Sequence, residues 1–454
     1  MQLITQLVFL IVLVAGIAFF TRNIRRIIRN IKLGRKVDRS DNSGERWAKM
    51  GRIAIGQSKM VKKPVSGILH IIVYIGFIII NIEVLEIIID GIFGTHRILS
   101  ALGGFYNFLI GSFEILAFLV LVGVIIFWIR RNVINIYRFI GSDLKGWPKN
   151  DANYILYIEM VLMILFLVLN ATDYQLQLNQ AYPYFKESGI VGFFPVSQFL
   201  LPLFEGMSTA SLIIVERTSW WLHIIGILFF LNYLYYSKHL HILLAFPNVF
   251  LSKLTPKGEF DNLQSVTNEV KLMMDPSADP YATPPEGSAN DIHEKFGASD
   301  VMDLNQVQLL NAYTCTECGR CTAECPANQT GKKLSPRKIM MDTRDRLEEV
   351  GEIINKKGKF EDDGKQLLDN YILREELWAC TTCNACVEAC PVGIDPLSII
   401  LDMRRYLVME QSAAPNELAV SMTNIENNGA PWPYNQMDRL NWAKENLKKN
   451  KNLV

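Results

Sequence analysis

The first 250 residues alternate between long apolar stretches and short polar ones. A helix needs about 20 apolar residues to cross the hydrocarbon core of a bilayer, and each of these stretches approaches or exceeds that length with few charges. Helices are favoured because a spanning segment must satisfy its backbone hydrogen bonds internally. We therefore predict an all-α fold that opens with a bundle of five transmembrane helices, at about residues 3–20, 65–89, 106–129, 154–170 and 219–236.

Two of the apolar segments require a separate interpretation. The first is expected to be an anchor and not a cleaved signal peptide, because its basic residues follow the apolar core instead of preceding it. The stretch 190–215 is apolar as well, but Pro195 and Pro202 interrupt it. We interpret this stretch as a loop with interfacial helices on the outer side of the membrane.

The distribution of Lys and Arg predicts the orientation. Segments 21–63 and 130–150 are rich in both residues, whereas the segments near 90–105 and 172–217 carry few. Basic loops remain on the cytoplasmic side of a membrane. The N-terminus is therefore expected outside, and five crossings place the chain after about residue 245 in the cytoplasm. We predict a multi-pass protein of a bacterial or archaeal cytoplasmic membrane.

The remaining residues are more polar and acidic, so that the whole chain has a formal net charge of only +1. No strongly basic soluble domain is present, which argues against nucleic acid as a partner. No glycine-rich nucleotide-binding pattern appears, so neither a flavin nor a nicotinamide cofactor is expected. We predict a transmembrane domain at 1–250, a linker at 251–310 that includes the Pro- and Ser-rich stretch 275–291, and a cytoplasmic helical domain at 311–454.

The eight cysteines all fall in two runs of the form C-x2-C-x2-C-x3-C-P. This spacing is typical of paired four-iron, four-sulfur clusters, in which the cysteine before the proline binds the cluster of the other run. Structural zinc is the alternative, since C-x2-C pairs also bind zinc, but two complete runs favour iron–sulfur clusters. Disulfides are disfavoured in the cytoplasm. The expected ligands of cluster 1 are Cys315, Cys318, Cys321 and Cys390, and those of cluster 2 are Cys380, Cys383, Cys386 and Cys325.

Five histidines lie in or beside the predicted spans, where ionisable residues are usually functional. A b-type haem in a helical bundle takes two imidazoles. We pair His70 with His241 around an inner haem and His96 with His223 around an outer haem, with His239 as the alternative to His241. On a straight helix His223 and His241 share one face and lie near opposite membrane surfaces. Interfacial anchoring, or a loop position for His96, is the competing interpretation.

Four carboxylates also lie within the apolar spans. Intramembrane carboxylates are candidates for moving protons, which the reduction of a quinone requires. The alternative is that they pair with polar groups of neighbouring helices or face water near a helix end. The candidates are Glu83, Glu86, Glu114 and Glu159.

The membrane half resembles two known families. It is similar to the gamma subunit of respiratory nitrate reductase and to the cytochrome b subunit of membrane-bound heterodisulfide reductase. The resemblance is carried by GQSKMVKKPVSGILHIIVYIGF (56–77) and WWLHIIGILFFLNYLYYSKHLHILLAFPN (220–248). One departure concerns the second span, which contains only His70 where two histidines are expected in the nitrate reductase subunit.

The cysteine-containing half resembles the C subunit of heterodisulfide reductase and the helical ferredoxin domain in the iron–sulfur subunit of succinate dehydrogenase. Fifty-four residues lie between Cys325 and Cys380, and they include the helical pattern LSPRKIMMDTRDRLEEV; DPLSIILDMRRYLVMEQ follows the second run. The closing residues NNGAPWPYNQMDRLNWA (427–443) also match the C subunit. The resemblance implies an α-helical ferredoxin-like dicluster domain.

Together the resemblances imply an electron-transfer subunit of a membrane-bound oxidoreductase. It would pass electrons between a cytoplasmic partner, two 4Fe-4S clusters, one or two b-type haems and the membrane quinone pool. Since no cysteine lies outside the two runs, the expected partner is a catalytic subunit with CCG-type cysteine motifs, or a flavoprotein. The alternatives are a haem-free membrane-tethered ferredoxin and a redox sensor. A transporter is disfavoured because the spans show no internal repeat.

Overall fold

The structure is a computed structural model that describes residues 2–185, 189–277 and 295–451. Within these residues every regular element is a helix and no strand forms. The five helices long and apolar enough to cross a membrane are Leu3–Ile31, Pro64–Phe93, Gly104–Asn132, Trp147–Leu178 and Thr209–Tyr236. The predicted all-α fold, with five such helices followed by a helical C-terminal region, is confirmed.

The α-helices are numbered in chain order. The membrane half contains α1 (Gln2–Ile31), α2 (Ser43–Met50), α3 (Pro64–Phe93), α4 (Gly104–Asn132), α5 (Trp147–Leu178), α6 (Thr209–Tyr233) and α7 (His241–Phe250). They are followed by α8 (Gln264–Met274), α9 (Gln306–Thr314), α10 (Arg320–Ala323), α11 (Pro326–Gln329), α12 (Pro336–Lys357), α13 (Leu367–Asn370), α14 (Arg374–Ala379), α15 (Ala385–Ala389), α16 (Pro396–Arg405), α17 (Asn416–Asn428) and α18 (Asn441–Lys451).

Short 3-10 and π-helices connect these elements. The 3-10 helices are Ile98–Leu102, Tyr137–Phe139, Ser142–Leu144, Ser197–Leu203, Leu234–Tyr236, Lys238–Leu240, Val301–Asp303 and Gln436–Leu440. Gly51–Ile55 and Tyr406–Glu410 are π-helical.

The chain forms two compact units. The first comprises Met1–Phe260 and Asp300–Ile399, so the apolar helices and both cysteine runs belong to one body. The second comprises Asp261–Ser299 and Ile400–Val454. Within the second unit, the backbone N–H of Ala298 donates to the carbonyl of Asp402, at 3.0 Å. Most of the stretch predicted as an extended linker, at 275–291, lies outside the described residues.

Two apolar cores hold the helices of the first unit together. One lies around Phe113 of α4 and Phe166 of α5, and both side chains are buried. The other lies around Phe9 of α1 and Ile224 of α6. Gly91 of α3 lets the ring of Phe9 approach its backbone, since a Cβ there would fall 2.5 Å from a ring atom. Close helix contact at small residues is the usual means of packing spans in a bilayer.

The segment 190–215 does not form a further long apolar helix. It contains the 3-10 helix Ser197–Leu203, and α6 begins only at Thr209. Glu114 of α4, fully buried, accepts hydrogen bonds from the backbone N–H groups of Val196 and Ser197, at 2.9 and 3.0 Å. The carboxylate therefore supplies the acceptor that the N-terminus of this short helix otherwise lacks.

The helix that carries His223 is not continuous to His241, contrary to the straight helix considered from the sequence. Ser237 has an extended conformation, with φ −116° and ψ 144°, and its side chain accepts the backbone N–H of His239. The chain therefore turns between α6 and α7. As a result, the helical face calculated for a straight helix does not apply to His239 and His241.

Candidate functional site

The first cysteine run forms a loop between two helices. α9 ends at Thr314, Cys315 begins the loop, and α10 starts at Arg320. Glu317 and Gly319 adopt left-handed conformations, with φ 55° and 73°. These conformations curl the backbone within the run, which brings its cysteines around one cavity.

The second run repeats this arrangement. α14 ends at Ala379, Cys380 begins the loop, and α15 starts at Ala385. Thr382 and Asn384 have φ of 56° and 59°. Asn tolerates the left-handed region because its short polar side chain can hydrogen-bond locally. The two runs thus have matching backbone shapes, as their matching spacing predicts.

One cavity of about 400 Å³ lies among the sulfur atoms. It is lined by the first three cysteines of the first run and by the last cysteine of the second, together with Cys386. The pKa of Cys315 is raised to about 12, mainly by burial and to a smaller extent by the charges of Glu317, Cys318 and Cys390. The thiol of Cys390 has a pKa of about 11 for the same reasons, burial first and then Cys318.

Cys325 and Cys380 lie near Cys386 of the second run. Burial is the main cause that raises the pKa of Cys386, and Cys380 and Cys325 contribute to it. Cys390 lines the cavity of the first run, and the exchange of fourth ligands between the runs stays a prediction. Backbone N–H groups also donate to sulfur, from Thr382 to Cys380 at 3.4 Å and from Ile394 to Cys390 at 3.3 Å.

Eight free cysteines supply the number of thiolates that two four-iron clusters need, and backbone donors to thiolate sulfur are among the features that tune cluster potentials. All eight cysteines are free thiols. Within the described ranges, no three His, Cys, Asp or Glu side chains are arranged to hold a single metal ion.

The first cysteine loop is bonded directly to the membrane bundle. The guanidinium of Arg320, 5% exposed, donates to Ser66 Oγ at 3.2 Å and to the Met60 carbonyl at 3.3 Å. The carboxylate of Glu317, 4% exposed, accepts from Lys238 and, at 2.8 Å, from Arg344. Burial alone would raise the pKa of Glu317, but these two cations lower it below its usual value.

Further polar contacts fix the same orientation. Asn248 of α7 donates to the Val392 carbonyl, two residues after Cys390, at 2.9 Å. Arg337 at the start of α12 forms a two-point ion pair with Asp143, at 2.5 and 2.9 Å. Because buried polar groups with good geometry specify one arrangement, the cysteine loops are held in register with the helices.

Three of the predicted histidines come together on the same side of the bundle as the cysteine loops. The ring centroids of His70 and His241 are 6.5 Å apart, and those of His239 and His241 are 5.4 Å apart. Two imidazoles on opposite faces of one iron, with metal–nitrogen distances of about 2 Å, place their centroids roughly 6 Å apart. The separation of His70 and His241 fits that requirement.

The hydrogen bonds of these rings support the pairing. His241 Nδ1 contacts the Lys238 carbonyl at 3.2 Å, which leaves Nε2 as the nitrogen available to a metal. His70 Nδ1 is buried and has no hydrogen-bond partner among the described residues. Burial lowers the pKa of His241 to about 4, so the ring is neutral, the form that binds a metal. His239 Nε2 instead lies 3.6 Å from Glu159 Oε1.

The other two histidines, His223 and His96, contact different residues. His223 Nδ1 contacts the Leu162 carbonyl at 3.1 Å, and its ring packs against Phe166. His96 Nε2 lies 3.4 Å from Asp173 Oδ2, and its ring packs against Tyr184. The structure therefore gathers His70 and His241 at one site but gives His96 and His223 separate contacts.

The carboxylates inside the spans have unequal surroundings. Glu86 accepts from the Leu99 N–H at 2.9 Å and from the Tyr106 hydroxyl at 3.0 Å, and Glu114 caps the 3-10 helix described above. Glu83 is 4% exposed, and its Oε2 has no hydrogen-bond partner in the part of the chain that the structure describes. Of Glu83, Glu86 and Glu114, Glu83 therefore has the weakest compensation for its burial from hydrogen bonds to the protein.

Glu83 lines a large cavity among α1, α3, α5 and α6. The cavity has a volume of about 1240 Å³. Aromatic residues, Phe9 and Trp220 among them, form part of its wall. Its polar lining includes Glu83, Glu86, His96, Arg97, Asp173 and Tyr184. Glu83, Glu86 and His96 are candidates from the sequence, whereas Arg97, Asp173 and Tyr184 are not. An arginine in an outer loop and an aspartate in a span could have been paired by their opposite charges.

Comparisons with known proteins agree with the cysteine pattern. The profile of the 4Fe-4S dicluster domain matches residues 314–394. The probable iron-sulfur-binding oxidoreductase FadF of Bacillus subtilis is 29% identical over 468 residues, which cover 97% of this chain and 61% of that protein. The EtfAB:quinone oxidoreductase of Syntrophomonas wolfei is 25% identical over 435 residues, covering 90% of this chain and 55% of that protein.

A further relative matches a smaller part of the chain. It is the C subunit of a CoB-CoM heterodisulfide reductase of Methanosarcina acetivorans, 32% identical over 130 residues, which cover 28% of this chain and 66% of that relative. No solved structure matches the chain. The chain spans less than two thirds of the length of FadF and of the quinone oxidoreductase. It therefore contains a 4Fe-4S dicluster domain and is related to heterodisulfide reductase subunits and to an iron–sulfur oxidoreductase.

Proposed function

We propose that the chain is the electron-transfer part of a membrane-bound, quinone-linked oxidoreductase. It exchanges electrons with a protein partner on one side and with the membrane quinone pool on the other. One observation carries this proposal: the first cysteine loop is bonded through Glu317 to Lys238, and the carbonyl of Lys238 is bonded to His241. A cluster loop and a haem-type histidine pair are thus adjacent.

The cysteines would hold two 4Fe-4S clusters, each able to accept and release one electron. The expected ligands are those named from the sequence, with Cys325 and Cys390 exchanged between the runs. The chain's own contribution is rigid placement. Arg320, Asn248 and Arg337 bond the loops to the helices, so that their separation from the histidines does not fluctuate.

His70 and His241 would hold a b-type haem at the inner end of the bundle. The neutral imidazole of His241, its Nδ1 contact and its centroid separation from His70 support this assignment. An outer haem bound by His96 and His223 remains the second part of the proposal. It requires His96 to leave Asp173 and turn toward His223.

The quinone is proposed to occupy the 1240 Å³ cavity that Glu83 lines. Its aromatic wall suits a flat apolar ring, and the polar side chains in its lining, Glu83 among them, suit the oxygens of the headgroup. A proton-exchanging carboxyl beside a bound headgroup is the general acid–base arrangement that quinone reduction needs.

The cysteine loops are proposed to face the cytoplasm. They contact segments 57–66 and 138–143, which belong to or adjoin the basic segments that the distribution of Lys and Arg assigns to that side. The partner would be a flavoprotein or a catalytic subunit with CCG-type cysteine motifs. The first of these draws support from the name of the Syntrophomonas wolfei relative, an EtfAB:quinone oxidoreductase.

The test is a dithionite-reduced minus air-oxidised visible spectrum of the purified protein, together with haem and iron quantification. About two b haems and eight non-haem irons per chain are the outcome expected from the full set of ligands. One haem would limit the bundle to the pair His70 and His241. No haem with intact clusters would exclude the cytochrome part and leave a membrane-tethered ferredoxin.

A further inference from the structure

The two cysteine loops have the same backbone shape but different charges. The first reads C-T-E-C-G-R-C and the second C-T-T-C-N-A-C. Glu317 therefore corresponds to Thr382, and Arg320 corresponds to Ala385. The two charged positions of the first loop are the ones that bond to the membrane bundle. In the second loop neither position carries a charge that would need such a partner.

The second loop is also the more exposed of the two. Of the eight cysteines, all of them described, Cys383 is the one that is exposed. Its neighbour Thr381 is exposed as well. By contrast, Glu317 and Arg320 of the first loop are 4% and 5% exposed. One loop thus meets the helices and the other meets solvent.

An open depression surrounds Cys383. It has a volume of about 770 Å³ and is lined by Phe260, Thr382, Asn384 and Lys257, among others. Phe260 is an exposed aromatic side chain, 40% accessible. An accessible aromatic residue beside a recessed polar surface is typical of the anchor positions of protein interfaces.

The rim of this depression is positively charged. Lys62 and Lys257, 58% and 53% exposed, both contact the carboxylate of Glu388. Lys59 Nζ lies 3.9 Å from the same carboxylate. Three ammonium groups around one carboxylate leave a net positive charge at the edge of the second loop.

We propose that this surface, formed by Cys383, Thr382, Phe260, Lys62 and Lys257, is the docking site for an acidic protein electron carrier. The proposal rests on the proposed function and assigns a different neighbour to each cysteine loop. The second loop faces the carrier and the first loop faces His70 and His241. Complementary charge orients such transient complexes and raises their association rate. Small, partly polar interfaces suit electron carriers, which must dissociate after each transfer.

The step is a single-electron exchange. A reduced carrier, with a flavin or an iron–sulfur cofactor, loses one electron and the cofactor held by the second loop gains it. No covalent bond forms or breaks. The reverse exchange uses the same surface, since docking depends on charge and not on the direction of transfer.

The first experiment measures reduction of the detergent-purified, cofactor-loaded protein by reduced flavodoxin, an acidic flavoprotein carrier. The variant combines Lys62→Glu with Lys257→Glu. The control combines Lys356→Glu with Lys357→Glu, two exposed lysines that also contact glutamates. We expect the second-order rate constant of the variant to fall about tenfold or more at low ionic strength. The difference should disappear at high salt, and reduction by dithionite should be unchanged.

An equal effect of the variant and the control on the flavodoxin rate would overturn the proposal. So would an unchanged flavodoxin rate with weaker binding to phosphatidylglycerol vesicles, because the lysines would then serve as a lipid contact. If the purified protein lacks iron and haem, the proposed function itself fails, and that outcome is recognised before any carrier is added.

A second experiment does not depend on turnover. A soluble dysprosium complex accelerates the relaxation of nearby paramagnetic centres, so EPR of the reduced protein reports how close each cluster lies to solvent. Cys383→Ser identifies the signal of the second loop, because that signal either shifts or is lost. We expect this signal in the unmodified protein to relax faster than the other by severalfold. Equal relaxation of the two signals, or faster relaxation of the other one, would overturn the assigned order.

Discussion

The ring centroids of His70 and His241 lie 6.5 Å apart with the ring planes tilted by 43°, although His70 lies near the start of the second span and His241 opens α7. The break at Ser237 makes this possible, because it redirects the chain after α6. The same turn presents Lys238, whose ammonium reaches Glu317 of the first cysteine loop. A few residues therefore determine both the histidine pair and its distance from the cysteines.

Replacement of His241 by Ala should abolish binding of the inner haem. The change removes one of the two imidazoles that would hold this haem and leaves only His70. Haem content, measured by the reduced-minus-oxidised spectrum and by pyridine haemochromogen, should fall by at least one haem per chain. His239→Ala is the matched control, and its haem content should be unchanged. Loss of haem in the control alone would transfer the ligand role to His239.

Glu83→Gln should slow electron exchange with a quinone analogue by about a hundredfold, which is a typical contribution of a positioned acid or base. Glutamine keeps the size of the side chain but cannot release a proton. The measurement is the rate at which pre-reduced protein is reoxidised by the analogue, with haem and iron contents determined in parallel. Unchanged reoxidation would exclude Glu83 from proton transfer.

Glu114→Gln should behave differently, because Glu114 serves as a cap. Glutamine retains one acceptor oxygen for the N–H groups of Val196 and Ser197 but loses the negative charge. We expect a loss of stability of about 1 kcal/mol and a reoxidation rate close to that of the unmodified protein. Hydrogen exchange of the backbone around Ser197 should increase. A large effect on reoxidation with unchanged exchange would contradict the structural role.

Glu317→Gln should destabilise the protein by about 3 kcal/mol. Lys238 and Arg344 converge on this carboxylate, and the side chain of Lys238 is only 8% exposed. Removal of the negative charge leaves two cations facing each other in a largely desolvated site. Glu361→Gln is the control, because it removes an exposed pair with Lys357, for which we expect less than about 1 kcal/mol. Similar shifts in thermal unfolding for the two variants would contradict this prediction.

Lys49→Met should stabilise the protein near neutral pH. The ammonium donates to the Lys253 carbonyl, and burial lowers the pKa of Lys49 to about 8 from a usual 10.5. Between about pH 8 and 10.5 the unfolded chain binds more protons than the folded one, so stability rises with pH across this window. Below pH 8 the full cost of the buried charge is present.

The expected gain for Lys49→Met at pH 7 is about 1 to 2 kcal/mol, since solvent screens part of the cost of a partly exposed group. The gain should shrink between pH 7 and 9.5. Thermal unfolding of the purified protein at both pH values measures it. Lys356→Met, at a side chain 76% exposed, should change neither value. A gain that does not depend on pH would mean that packing, not charge, is responsible.

The five long apolar helices could be predicted from the sequence, because the length and hydropathy of an apolar stretch decide whether it can cross a membrane. The cysteine motif predicts that Cys325 binds the cluster of the second run, and this assignment stays a prediction. The capping role of Glu114 was not predictable. It depends on a contact with Val196, far along the chain, and nothing local distinguishes a capping carboxylate from a proton-exchanging one.

The position of His239 shows a second limit. On an unbroken helix the side chain of His239 would point about 160° away from the face that carries His241. In the structure the ring centroids of the two histidines lie 5.4 Å apart. The calculation assumed an unbroken helix, and the extended conformation of Ser237 breaks it. The roles of Glu317 and Arg320 were within reach, because a comparison of the two cysteine runs shows charge in one and none in the other.

The bonds between the first cysteine loop and the helices also have a kinetic consequence. Arg320 and Lys238 reach across from one part of a single chain to another, so the encounter between the two redox regions never has to be repeated. Transfer within the molecule is therefore first-order, and its rate does not change when the protein is diluted. In the proposed function, only the exchanges with a carrier and with a quinone would depend on the concentration of another molecule.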